Sequence, residues 1–270
     1  MRAHRALLVP TIPAILSLLA CLGGAEEDAK PAYAGLQQLT VVNALAIEDG
    51  PAAVDMWIID DGTPSAFAEG VALGTASAPA AVLVTGGAVT VRLTAAGADP
   101  GAALVETTFD TDGDDAVLIA HPVEGESGDS DTDPGGPGVE LVPSVAFFDM
   151  SEPDTVAASA DRHRLHLHLG GVIGAVGSTG LRVGWSTPTA GNCTAPLEAA
   201  DPVHQLNPPA GEITLGLYGA TDDACAQPLA PDVVLPDAAA GDATLLIAWG
   251  RSVDSIAVLD IDLTPPEAEE

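Results

Sequence analysis

The chain has 270 residues, of which 47% are hydrophobic and 17% charged, and its formal net charge is −31 from 39 acidic and 8 basic residues. So many apolar residues exclude a disordered acidic chain, because they are enough to build a packed core. The acidity argues against nucleic-acid binding, which needs Lys and Arg to contact phosphates, and against adsorption of the folded part to an anionic membrane surface.

Residues 1–20 have the layout of a lipoprotein signal peptide. Arg2 and Arg5 form a short positive region ahead of the uncharged, mostly apolar segment 6–20. A transmembrane helix needs about 20 apolar residues, and the uncharged stretch 6–25 reaches that length only by including two prolines and two glycines. The pattern therefore predicts export rather than a membrane span.

The sequence Leu18-Leu19-Ala20-Cys21 resembles the bacterial lipobox. That resemblance implies cleavage before Cys21 and attachment of diacylglycerol to its sulfur. Residues 21–36 would then be a flexible tether. Leu22, rather than Asp, follows the cysteine and favours the outer membrane. In the alternative interpretation an ordinary signal peptidase cleaves nearby, for instance after Ala25, and releases a secreted soluble protein with no lipid anchor.

Beyond the tether, short apolar segments alternate with turn residues. Val89, Val91 and Leu93 alternate with Thr90 and Arg92, which is the period of a half-buried strand. Similar segments recur between clusters of Gly, Pro and Asp, and aromatic residues make up only 3% of the chain. The pattern predicts an all-β protein with many turns.

The strand pattern occurs twice, on either side of a polar segment at 124–140. This segment is rich in Gly, Asp, Ser and Pro and predicts an extended acidic linker. Trp57 and Trp185 are 128 positions apart, as are Gly113 and Gly241, whereas Val91 and Leu215 are 124 apart. We predict two tandem antiparallel β-sandwich domains, immunoglobulin-like or transthyretin-like, at 37–123 and 141–264, followed by an acidic tail at 265–270.

Residues 39–120 resemble the bacterial family known as domain of unknown function 4397. The segments that carry the resemblance are Val41–Ala44, Ala53–Asp55, Gly74–Ser77, Gly87–Leu93 and Val105–Thr108. The resemblance implies an exported β-sandwich, often in tandem and often on lipoproteins, with no established activity and no functional residues to transfer. The second copy is divergent, since Gly184 aligns with the Asp of the family's first motif.

Three cysteines remain to be explained, namely Cys21, Cys193 and Cys225. If Cys21 carries lipid, the other two can pair in an oxidising compartment. A bond between them would close a loop of the chain, and this closure would stabilise the fold by roughly 3–4 kcal/mol. We therefore predict a structural disulfide between Cys193 and Cys225. The alternative is a free redox pair, although no Cys-x-x-Cys motif supports it.

The histidine-rich segment 163–169 alternates polar and apolar residues. On a strand, Arg164, His166 and His168 would share one face, and three leucines would occupy the other. Two imidazoles two residues apart could bind zinc or copper, with His204 as a further ligand. The alternative is a polar strand face exposed to solvent.

The acidic linker also has a spacing typical of a calcium loop. Asp129, Asp131 and Asp133 are followed by Glu140, eleven positions after the first of them. Pro134 stands where the sharp turn of such a loop needs Gly. The linker is therefore either a weak calcium site or an acidic spacer in solvent.

We find no nucleophile motif and no phosphate-binding glycine loop. The sequence therefore predicts a non-enzymatic protein without a cofactor. The leading hypothesis is a lipid-anchored bacterial envelope protein that acts as a binding or structural module. Its ligand is unknown, and surface proteins and glycans are the partner classes left open. The alternatives are a calcium- or transition-metal-binding envelope protein and a secreted soluble protein.

Overall fold

The computed structural model describes residues 35–84, 86–111, 113–125, 140–150, 161–177, 180–199 and 203–263. Most of these residues lie in β-strands or in the turns between them, which confirms the predicted all-β class. The two helical segments found there are the single turn α1 (Ile173–Val176) and a 3₁₀ turn at Val253–Ser255. No helix in the described ranges is long and apolar enough to cross a membrane.

The first sandwich is built from nine strands of the described chain. They are β1 (Gly35–Asn43), β2 (Ala53–Asp60), β3 (Thr63–Ala72), β4 (Thr75–Ala76), β5 (Ala80–Val84), β6 (Ala88–Ala95), β7 (Val105–Asp110), β8 (Ala116–Glu124) and β9 (Leu141–Asp149). Its outer sheet has the order β3-β2-β6-β7. Its inner sheet has the order β4-β1-β8-β9, and β5 also pairs with β1.

The second sandwich is built from eight strands of the described chain. They are β10 (Arg164–Gly171), β11 (Leu181–Ser186), β12 (Gly191–Cys193), β13 (Val203–Leu206), β14 (Gly211–Gly219), β15 (Val233–Ala238), β16 (Ala243–Trp249) and β17 (Ala257–Asp262). Its outer sheet has the order β12-β11-β14-β15, and its inner sheet has the order β13-β10-β16-β17.

The two sandwiches therefore have the same topology, as the internal repeat predicts. Each inner sheet contains one parallel pair, β1 with β8 and β10 with β16, among otherwise antiparallel pairs. The prediction of antiparallel sandwiches did not include these pairs. They can form because the chain passes through the whole outer sheet between the two strands, which supplies the long connection that parallel strands need.

The strand registers correct one part of the predicted repeat. The match of Val91 with Leu215 makes Arg92 equivalent to Gly216, and Arg92 pairs with Trp57 whereas Gly216 pairs with Gly184. Trp57 therefore corresponds to Gly184 and not to Trp185. For the same reason Arg182, rather than Gly184, takes the place of the first copy's Asp. The sequence alignment was wrong by one residue, and in a strand such a slip exchanges the two faces of the sheet.

The predicted domain boundaries also change. Strand β9 at 141–149 was assigned to the second domain, but it pairs with β8 along its whole length, and Glu124 lies opposite Leu141. The Gly125 amide donates to the Glu140 carbonyl at 2.8 Å. The segment 124–140 is therefore the connection of a hairpin in the first sandwich and not a linker between domains, and residues 126–139 lie outside the described part of the chain. The boundary moves because β9 pairs with the edge of β8 that β1 leaves free.

Three clusters of buried side chains hold the described chain together. Each sandwich has its own core between its two sheets, with Leu118 in the first and Leu246 in the second. A third cluster joins the inner sheets of the two copies through Val117 and Ile119 of β8 and Leu245 of β16. The strands β8 and β16 are therefore apolar on both faces, which explains their continuous hydrophobic sequence.

The residues that carry the family resemblance stabilise the first sandwich. Asp55 is only 4% exposed and accepts hydrogen bonds from the Gly70 and Gly97 amides at 2.6 and 2.7 Å. Gly74 has a φ of +76°, and a Cβ atom there would lie 2.1 Å from the Trp249 ring of the second copy. These contacts give the motif a structural role, in the turns and in the contact between the copies.

Candidate functional site

An open groove of about 400 Å³ lies on the outer sheet of the second sandwich. Strands β11 and β14 form its floor, and β12 and the loop between β14 and β15 form its sides. The residues that line it are Gly184, Trp185, Ser186, Gly191, Asn192, Cys193, Thr214, Gly216, Tyr218, Ala224, Cys225 and Asp232. An aromatic ring, small residues and polar side chains thus meet in one concave surface, as in small-ligand sites.

Two glycines make room for this groove. Gly184 of β11 and Gly216 of β14 lie opposite each other, and both belong to the outer face of the sheet. In the first copy the same two positions carry Trp57 and Arg92. There, the Trp57 indole donates to Thr94, and Arg92 forms an ion pair with Glu106 and donates to the Pro100 carbonyl. The surface covered by two large side chains in one copy carries two glycines in the other.

The Tyr218 ring and the disulfide lie over the two glycines. A Cβ atom on Gly216 would come within 2.5 Å of the Tyr218 hydroxyl, and one on Gly184 would come within 2.7 Å of the Tyr218 ring. The same Cβ on Gly184 would be 3.3 Å from Sγ of Cys225. The glycines therefore allow an aromatic ring and a disulfide to lie close to the sheet.

Polar side chains surround the Tyr218 ring. Ser186 is exposed, Thr214 is partly buried, and Asp232 is exposed at the β15 side. Burial raises the pKa of the Tyr218 phenol, and the nearby carboxylates of Asp232 and Asp222 raise it further. The Tyr218 hydroxyl consequently stays protonated near neutral pH, where it can both donate and accept hydrogen bonds.

Cys193 and Cys225 form the predicted disulfide, with Cα atoms 5.9 Å apart. Cys193 ends β12 and lies opposite Gly184, whereas Cys225 lies in the loop after β14, with a φ of +47°. The bridge ties this loop to β12 and so forms a wall of the groove. The lipidation residue Cys21 and the calcium-loop residues Asp129, Asp131 and Asp133 lie outside the described residues.

The histidine strand is β10, and its alternation is as predicted. Three leucines face the core of the second sandwich, and His166 and His168 face the first sandwich. The interpretation as a solvent-exposed face is wrong for His168, which is 0% exposed. The His168 ring packs edge to face against the His121 ring of β8, with ring centroids 4.7 Å apart. The ring centroids of His166 and Phe148 are 5.1 Å apart. The apolar inner sheet of the first copy buries this face.

His204 lies away from this histidine pair. It stands opposite Leu167 in the β10–β13 ladder, on the face that does not carry His166 and His168, and Nε2 is 3.0 Å from the Glu198 carbonyl oxygen. Within the described ranges, no three His, Cys, Asp or Glu side chains come together in an arrangement that could hold a metal ion.

Sequence reasoning did not identify the groove. Its main residues, Gly184, Gly216, Tyr218, Asn192 and Asp232, belong to no recognisable motif. The usable signal was the internal repeat. When the copies are aligned by strand register, a Trp and an Arg of the first copy occupy the positions of two glycines in the second. These two replacements remove more side-chain volume than any other in the two strands that form the floor.

Comparison with known proteins gives no family. No family model matches the chain, and no curated protein is significantly similar to it. Among solved structures, the Bacillus anthracis TIE protein is 9% identical with a TM-score of 0.23, over 79% of this chain and 34% of that one. This chain therefore spans about a third of the length of the Bacillus anthracis protein.

Two further solved structures are candidate cell adhesion proteins from Bacteroides species. The one from Bacteroides uniformis is 9% identical with a TM-score of 0.25, over 84% of this chain and 97% of that one. The one from Bacteroides ovatus is 10% identical with a TM-score of 0.23, over 85% of this chain and 96% of that one. Similarity at this level carries no assignment of function.

Proposed function

We propose that this protein is a non-catalytic ligand-binding module of the bacterial cell envelope, held on a membrane by lipid on Cys21. The groove above Gly184 and Gly216 is the observation that carries the binding part of this proposal. One copy of the repeat keeps its outer sheet covered by Trp57 and Arg92, whereas in the other the Tyr218 ring and Cys225 lie close to two glycines and line a groove with polar groups.

The walls of the groove are held in place before any ligand binds. The disulfide joins β12 to the loop after β14. Arg182 donates to the Thr194 and Ala220 carbonyls at 2.7 and 2.8 Å and pairs with Asp223. Asp222 accepts two backbone hydrogen bonds within the same loop. A prearranged site loses less conformational entropy on binding, which favours affinity.

The groups in the groove suit binding better than proton transfer. The raised pKa keeps the Tyr218 phenol neutral, so that it is a poor base and a poor nucleophile near neutral pH. Ser186 and Thr214 offer hydroxyls for hydrogen bonds. The described residues that line the groove include no histidine or lysine to activate either hydroxyl.

The lipid anchor is supported by the cysteine count. The chain contains three cysteines, and Cys193 and Cys225 bond to each other. Cys21 therefore has no cysteine partner left in the chain, and its position after an apolar segment suits a lipid-modified residue. Membership of the family known as domain of unknown function 4397 and an outer-membrane location are parts of the same proposal.

Filling the groove should abolish binding to the cell envelope. Ser186 is exposed on β11 and lines the groove, so Ser186→Trp should occupy the site without disturbing the core. The detergent-solubilised full chain is mixed with isolated envelopes of the bacterium that makes it, and the bound fraction is measured by sedimentation. We expect the variant's affinity to fall at least about tenfold, equivalent to roughly 1.4 kcal/mol.

Ser65→Trp is the matched control for this experiment. Ser65 is an exposed serine on β3 of the first copy's outer sheet and does not line the groove. The control should sediment like the original protein, and both variants should keep its melting temperature. Equal sedimentation of the Ser186 and Ser65 variants would contradict the proposed binding role of the groove.

The anchor has its own test. Cells producing the original chain or Cys21→Ala are grown with radioactive palmitate, and the protein is immunoprecipitated. We expect label in the original chain and none in the variant, because the thioether forms on that sulfur. The double variant Cys193→Ala/Cys225→Ala should still be labelled. Absence of label from the original chain would contradict the anchor and favour the secreted form.

A further inference from the structure

The groove combines two kinds of contact surface. The Tyr218 ring lies over the glycine floor. Beside it, the hydroxyls of Ser186 and Thr214 can both donate and accept hydrogen bonds, and the Asp232 carboxylate can accept them. A ligand that fits must therefore present an apolar face to an aromatic ring and many small polar groups around its edge.

The charge of the groove limits the ligand further. The only formally charged side chain that lines it is that of Asp232, and its described lining residues include no Lys, Arg or His. A phosphate, sulfate or carboxylate would meet no positive partner there, and the chain's net charge of −31 would repel it. The part of the ligand that enters the groove is therefore not anionic.

The backbone of the floor argues against an extended peptide. Peptides that bind to sheets commonly add a strand at an open edge and use main-chain hydrogen bonds. The floor strands β11 and β14 are central in the order β12-β11-β14-β15, so both of their edges are already paired. The floor of the groove consequently offers one face of the sheet and its side chains, and neither floor strand has a free edge.

We infer that the groove binds a neutral saccharide, with a sugar ring stacked on Tyr218 and its hydroxyls bonded to Ser186, Thr214 and Asp232. A sugar ring has C–H groups on its faces and hydroxyls around its edge, which match these two surfaces. This inference rests on the proposed binding function and names its ligand class. Because the groove is open, it can accept a sugar unit within a longer saccharide as well as a terminal sugar.

Chemical treatment of the envelopes tests the ligand class. Isolated envelopes are treated with sodium periodate, which cleaves vicinal diols of sugars, or with proteinase K that is then removed. A mock sample receives periodate already quenched with ethylene glycol. The detergent-solubilised full chain is then sedimented with each. We expect binding to fall at least about tenfold after periodate, and to persist after proteinase K and in the mock sample.

Variants of Tyr218 test the stacking contact in the same assay. Tyr218→Ala removes the ring, and we expect a loss of at least about tenfold. Tyr218→Phe keeps the ring and loses only the hydroxyl, so its loss should be no more than a few-fold. Equal binding by Tyr218→Ala and the original chain would overturn the stacking contact and the saccharide inference with it.

The outcomes separate the inference from the proposed function. Binding that Ser186→Trp abolishes, but that survives periodate and is lost after proteinase K, would overturn the saccharide inference and leave a groove that binds a protein. Binding that Ser186→Trp does not change would overturn the proposed function itself. Loss after periodate together with loss in Ser186→Trp supports both.

Discussion

The double variant Cys193→Ser/Cys225→Ser is expected to unfold with a free energy about 3–4 kcal/mol lower than that of the original chain. The disulfide closes a loop between residues 32 positions apart, and removing it restores the conformational freedom of that loop in the unfolded chain. Chemical denaturation monitored by tryptophan fluorescence measures the difference. The same variant should bind envelopes more weakly, because the bridge forms a wall of the groove.

The third cysteine provides the control. Cys21→Ser changes a cysteine that lies outside the described residues and should leave the free energy of unfolding unchanged. Reduction of the original chain with dithiothreitol should reproduce the loss seen in the double variant. If the double variant and the original chain unfold at the same denaturant concentration, the bridge does not constrain the second sandwich in the way the structure indicates.

The free energy of unfolding is expected to fall by about 3 kcal/mol as the pH drops from about 6.5 to about 4 through His121 alone. His121 is 6% exposed between the two inner sheets, and burial lowers its pKa to about 4, despite its hydrogen bond with the Pro122 carbonyl. In the unfolded chain the same imidazole takes up a proton near pH 6.5. The stabilisation is therefore complete above pH 6.5 and is lost as the pH falls towards 4.

Thermal unfolding measured between pH 4 and 7.5 tests this expectation. His121→Phe keeps an aromatic ring against His168 but cannot take up a proton. The change in its free energy of unfolding over this pH range should therefore be about 3 kcal/mol smaller than that of the original chain. His204→Gln replaces a histidine on the opposite face of β10's sheet and should keep the original pH dependence. The same pH dependence for His121→Phe and the original chain would contradict the role of His121.

The elements of the fold were largely predictable. Alternating segments such as Val89–Leu93 are strands, and the continuous run at Val117–Ile119 is a strand buried on both faces. Strand periodicity depends on neighbouring residues along the chain, so one sequence is enough to detect it. The position of β9 was not predictable, because strand pairing depends on which edge of a sheet is free.

The candidate site was much less predictable. The disulfide followed from the cysteine count, but the meaning of Gly184 and Gly216 depended on strand register. An alignment that matched Trp57 to Trp185 was wrong by one residue, and it placed both tryptophans on the same face. In a strand that error moves every side chain to the other side of the sheet, so the groove could not be found until the hydrogen-bond ladders were known.

The sequence by itself determined the all-β class, the internal repeat and the pairing of Cys193 with Cys225, whereas the export signal with Cys21 stays a prediction. Each depends on composition, on short-range periodicity or on a count. Only the tertiary structure decided that β9 completes the first sandwich, that His121 and His168 meet between the copies, and that two opposed glycines open a groove. These features depend on which residues lie opposite one another across strands and sheets, and that is set by packing between segments far apart in the chain.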